Sequence, residues 1–74
     1  MTNTEIKAEA KGILAAFDEG AIGMYCESRT AEALAEYWVE WQFARVDIDC
    51  DWTDAKCERM HKRMVAALKD LGLN

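Results

Sequence analysis

Apolar residues recur with a helical period over three stretches of the chain, and polar caps or glycines separate them. Ile6, Ala10, Ile13, Leu14 and Phe17 fall at offsets that place one stripe along a helix. Thr2-Asn3-Thr4-Glu5 precedes them with the spacing of a capping box. Asp18-Glu19-Gly20 reads as the end of that helix, because Gly20 can take the left-handed conformation that closes a final turn. Ala21, Met24 and Tyr25 continue the same period and would carry the helix to about residue 25, although Gly12 and Gly20 weaken that longer version. A helix over about 4–19 is expected, with a break near Gly20–Gly23.

Ser28 or Thr30 then caps a second helix, over about 29–45. Ala31, Leu34, Trp38 and Trp41 form its stripe, and Glu32, Glu36 and Glu40 repeat every four residues as a separate acidic row. Tyr37, Val39 and Phe43 lie off the main stripe, so this helix is apolar over a wide arc. A helix of that kind is usually covered from two sides. In a chain this short the second cover is expected from another subunit, which places Tyr37, Trp38, Val39 and Phe43 at an oligomer interface.

Residues 46–52 alternate strictly, as Val-Asp-Ile-Asp-Cys-Asp-Trp, and on periodicity alone they read as a strand. Aspartate is poor in strands and no second strand is evident, so an acidic connector is expected instead. Thr53 is a good N-cap for a third helix over about 53–71, with Asp54 in its first turn and Trp52 placed to staple onto Cys57. Cys57, Met60, His61, Met64, Leu68 and Leu71 share one face of it. Lys56, Arg59, Lys62 and Arg63 take the other, Glu58 can pair with Lys62, and Gly72 ends it. The pattern predicts an all-α fold, a small three-helix bundle or a helical hairpin with an acidic connector, completed by self-association.

Length and charge narrow the classes. Seventy-four residues make a single domain. Three cysteines are an odd number for a disulfide framework, and no secretory signal or membrane-length apolar run is evident. A cytoplasmic protein with free thiols is expected. The net charge of −5 is uneven: residues 1–54 sum to −8 and residues 55–74 to +3. An acidic body repels nucleic acid and acidic membranes and attracts basic protein sites.

Candidate chemistry is sparse. Asp47-x-Asp49-x-Asp51 with Glu58 at the twelfth place resembles the ligand spacing of an EF-hand calcium loop, over those twelve residues alone. Trp52 stands where that loop needs glycine, and Asp54 where it needs an apolar residue. Cys57 and His61 are four apart on one helical face and could share a zinc ion with Cys26 and Cys50, but no C-x2-C knuckle supports this. The blander reading is a buried thiol and a core histidine. A Cys57–His61 nucleophile has no orienting third group and no oxyanion hole. No cofactor and no catalytic residue are expected. A DNA-binding third helix using Lys56, Arg59 and Arg63 is opposed by the −8 on the rest of the chain.

The remaining signal is aromatic. Trp38, Trp41 and Trp52 fall within fifteen residues, beside Tyr37 and Phe43, and acids run through the cluster. Some of this ring surface is expected to meet another molecule. In general character the chain resembles the small acidic inhibitors that phages and mobile elements encode against host defence systems, a likeness that carries over no residue. The expected function is a non-enzymatic interaction protein that covers a basic surface on a partner. Glu32, Glu36, Glu40, Trp41, Asp47, Asp49, Asp51, Trp52 and Asp54 would contact it, in one version by imitating spaced phosphates.

Overall fold

Thr2 opens the first helix as its spacing predicts. Its hydroxyl accepts from the Glu5 amide at 3.2 Å, and its own amide donates to Glu5 Oε1 at 2.8 Å, closing a reciprocal capping box. A computed structural model describes residues 2–26, 28–45 and 53–73, with the backbone alone for residues 42–45. The expected connector 46–52, with its strand alternative, lies outside the described residues. Three helices form: α1 (Asn3–Asp18), α2 (Ala31–Arg45) and α3 (Asp54–Asp70). These bounds depart from the expected ones by one or two residues at most, within the ordinary looseness of helix ends. Thr30, not Ser28, caps α2, its hydroxyl accepting from the Ala33 amide at 3.2 Å. Thr53 caps α3 through the Lys56 amide at the same distance.

Both α1 and α3 end on a left-handed glycine. Gly20 has φ +84° and Gly72 has φ +99°, and each is followed by an amide that reaches back to the third residue from the helix end. Ala21 donates to the Ala16 carbonyl at 2.9 Å, and Leu73 to the Leu68 carbonyl at 3.2 Å. The reversal at Gly20 agrees with the expected break there and sets aside the longer helix to about residue 25. Ala21, Met24 and Tyr25, which continue the α1 period on paper, are exposed, and Ile22 and Cys26 turn inward to the core. Redirecting the chain at one residue shifts the phase of every side chain downstream.

The core is built on α3. Met60, Met64, Ala67 and Leu68 form its buried stripe. Ile6 and Ala10 come from α1, and Ala31, Leu34, Ala35 and Trp38 from α2. Both α1 and α2 pack mainly on α3 and meet each other only sparsely. Trp38 is 1% exposed, so the indole expected at a subunit interface belongs to the protomer's own interior. That is a correction with a simple cause. Trp38 belongs to one buried cluster with the small residues Ala10, Ala31, Ala35 and Ala67, drawn from all three helices, and a close-packed interior holds a large ring among small neighbours. The Cα radius of gyration, 11.8 Å, is close to the roughly 11.3 Å typical of a compact chain of this length.

Trp38→Ala should lower the unfolding free energy by about 3–5 kcal/mol, a large share of the ~4–11 kcal/mol ordinary for this length. Urea titration followed by circular dichroism measures it, and a loss below about 1 kcal/mol would mean the ring is not a core residue. At the α3 terminus, Gly72→Ala should cost about 1–2 kcal/mol by the same titration. No atom crowds that position, so the loss would come from φ alone.

Candidate interaction surface

The acidic row predicted on α2 is present as a surface feature. Glu32, Glu36 and Glu40 are all exposed. Glu32 Oε2 lies 3.5 Å from His61 Nε2 across the α2–α3 contact, an ion pair when the imidazole is protonated. Among the described residues no ion pair engages Glu36 or Glu40. Asp54 is exposed at the start of α3, and the expected Glu58–Lys62 pair is not formed. Both of those side chains are exposed, where such a pair gains little. Asp47, Asp49, Asp51 and Trp52 lie outside the described residues, and so does Phe43 as a side chain.

Beside the acids stands ring surface. Trp41 is 49% exposed, although it continues the buried stripe of Leu34 and Trp38. One turn beyond Trp38 it faces the α1–α2 cleft, lined on the α1 side by Glu9, Gly12, Ile13 and Ala16. Gly12 offers no side chain to cover it, and nothing lies within 4 Å of where a Gly12 Cβ would be. Tyr37 and Trp38 line the same depression, which holds about 230 Å3. A second depression of about 260 Å3 adjoins it across Tyr37 and is lined by Tyr25, Ala33, Glu36 and Glu40 among others. The Tyr25 and Tyr37 rings stack at 6.3 Å between centroids. Val39, also expected at an oligomer interface, is half-buried, as Tyr37 is.

The α1 half of this surface escapes a reading of the apolar stripes, because Gly12 and Ala16 are weak signals there. Their spacing of four, small residue over small residue on one helix face, is the trace that could have revealed it.

The chemistry considered for α3 is largely taken up by packing. Arg63 Nη2 donates to Asn3 Oδ1 at 3.1 Å, and its Nη1 lies 3.7 Å from Met60 Sδ, so this base ties α3 to the start of α1. Cys57 and His61 are half-buried on one face, but Cys26 is buried and its thiol donates to the Ser28 carbonyl at 3.5 Å. Cys50 lies outside the described residues. Among the described residues no three His, Cys, Asp or Glu side chains are grouped to hold a metal ion. Glu32 does give His61 the orienting carboxylate that no sequence motif supplies. No helix among the described residues is long and apolar enough to cross a membrane.

One ion pair spans the connection between α1 and α2. Arg29 Nε and Nη2 donate to the two Asp18 carboxylate oxygens at 2.9 and 3.3 Å, joining the end of α1 to the segment that leads into α2. The Arg29 hydrogen bond holds the Asp18 carboxyl below its ordinary value, and the Arg29 charge adds to this. Glu5 is likewise lowered, first by the Thr2 amide and then by its hydroxyl.

No protein-family model matches the chain, and no curated protein or solved structure is significantly similar to it.

A carboxylate whose pKa is depressed on folding stabilises the fold above its unfolded value, and that stability is lost as pH falls through the folded one. Thermal melts at successively lower pH, from about 5 toward 2, should therefore show wild type losing stability faster than Asp18→Asn. Parallel curves for the two proteins would mean that the pair contributes nothing.

Proposed function

We propose that the chain is a non-enzymatic protein-interaction module, a small acidic regulator or inhibitor that covers a basic surface on a partner protein. The observation that carries this is the placement of Glu36 and Glu40, exposed and without an ion pair among the described residues, beside the half-exposed indole of Trp41. Exposed acids around an aromatic ring supply the two parts of a typical hot spot: a ring to desolvate, and charges that select the partner and steer its approach. The −8 carried by residues 1–54 extends the same field.

The alternatives have less support. A DNA-binding α3 loses Arg63 to its tie with α1, and a metal module lacks a third grouped ligand among the described residues. Phosphate imitation by Asp47, Asp49 and Asp51 is the finer form of the proposal, and competition between the chain and duplex DNA for the partner tests it. Self-association through the same face is a competing use of it, and light scattering of the purified chain reads it directly.

Affinity capture from a host lysate, with the tagged chain as bait, provides the partner for titration. Its affinity should weaken as salt rises from about 50 to 300 mM, over which screening shortens markedly. The double variant Glu36→Lys/Glu40→Lys should bind about tenfold more weakly or worse, since it sets like charges against the partner. An affinity unmoved by both salt and charge reversal would remove the acidic contact from the proposal.

A further inference from the structure

We propose that the cleft between α1 and α2 receives the apolar face of an amphipathic helix whose flanks carry lysine or arginine. The inference rests on the acidic-interaction reading above and adds the place of contact and the chemistry of the occupant.

Shape comes first. Because α1 and α2 both pack on α3 and meet only sparsely, a trough is left between them. Its walls are the small pair Gly12 and Ala16 on one side and the rings of Tyr37 and Trp41 on the other. Small residues on a helix let a second backbone come close, and a half-exposed indole opposite them is an anchor that gains from being covered. The volume, about 230 Å3, falls below the roughly 300–1,000 Å3 of small-molecule sites. One or two apolar side chains suit it better than a whole ligand. An amphipathic helix inserts side chains in that way, every third or fourth residue, into a groove.

Charge decides the flanks. Glu9 borders the cleft on the α1 side, and Glu36 and Glu40 border the adjoining depression across Tyr37. Among the described residues no lysine or arginine lines either depression. A helix with acidic flanks would meet like charge along both edges, and a nucleic-acid strand would do the same. Basic flanks are complementary to both edges.

The test uses the full chain and two amidated helical peptides of about 18 residues, ~27 Å long at 1.5 Å per residue, which matches the 31 Å long axis of the fold. Both carry leucines at helical spacing, one with lysine flanks and the other with glutamate flanks. Fluorescence anisotropy of labelled peptide reads affinity. The lysine peptide should bind at least tenfold more tightly than the glutamate peptide. Gly12→Leu should weaken it at least tenfold while the protein melts at the same temperature or higher, because that position has open space and glycine is a poor helix former. A misfolded variant would lose both properties together. Trp41→Ala should weaken binding as well.

Full affinity in Gly12→Leu would overturn the cleft as the site, while a loss in Glu36→Lys/Glu40→Lys would still leave the acidic face standing. Equal affinity for the two peptides would overturn the basic flanks. Binding of neither peptide overturns the proposal, and a dimer in light scattering that Gly12→Leu dissociates would assign the cleft to a second copy.

Discussion

The enclosure of the Trp38 indole sets most of the rest. Among the described residues the largest fully buried side chains are this ring, Leu34, Met64 and Leu68. The ring shares its buried cluster with alanines at positions 10, 31, 35 and 67, which come from all three helices. The buried methionines of α3 suit that task, since unbranched flexible chains fill the irregular gaps a flat ring leaves. A core arranged in this way needs α3 against both partners. It does not need α1 against α2, and the open cleft follows from that difference.

Local interactions at the helix ends complete what the core begins. Each helix starts on a threonine whose hydroxyl takes an amide of the first turn, and two of the three helices finish on a left-handed glycine. These devices are short-range and define where each helix stops, which in turn defines the aim of the next one. The Asp18–Arg29 pair works between elements, bracing the path from α1 to α2 at the far side of the reversal. Its exposure keeps its strength modest and salt-sensitive, in keeping with a brace and not a foundation.

Charge is organised on the finished surface by the same geometry. The acids of α2 point away from the core because the alanines and Trp38 point toward it, and a period of four keeps Glu32, Glu36 and Glu40 nearly in line. Glu32, nearest to α3, is met by His61, whereas the next two extend past that contact. A gradient therefore runs across the α2 surface, from a carboxylate with a partner in its own chain to two with none among the described residues. Trp41 and Tyr37 sit at the open end of this gradient, where a foreign side chain would find a ring to cover and a charge to meet.

Periodicity in the chain was enough to place the three helices within a residue or two, along with the capping threonines, the terminal glycines and the exposed acidic row. All of these depend on neighbours three or four residues away, which is the range a sequence pattern records. Three features needed the tertiary structure. The phase of Ile22 and Cys26 depends on the backbone reversal at Gly20, which period-counting across that glycine gets wrong. Trp38 and Trp41 look equivalent on the α2 stripe, yet Trp38 is buried and Trp41 is half-exposed beside the open space at Gly12, a difference set by residues distant in sequence. The wide apolar arc of α2 shows that a face must be covered, and the fold shows that at Trp38 the chain itself supplies that cover, because burial depends on residues far apart in sequence.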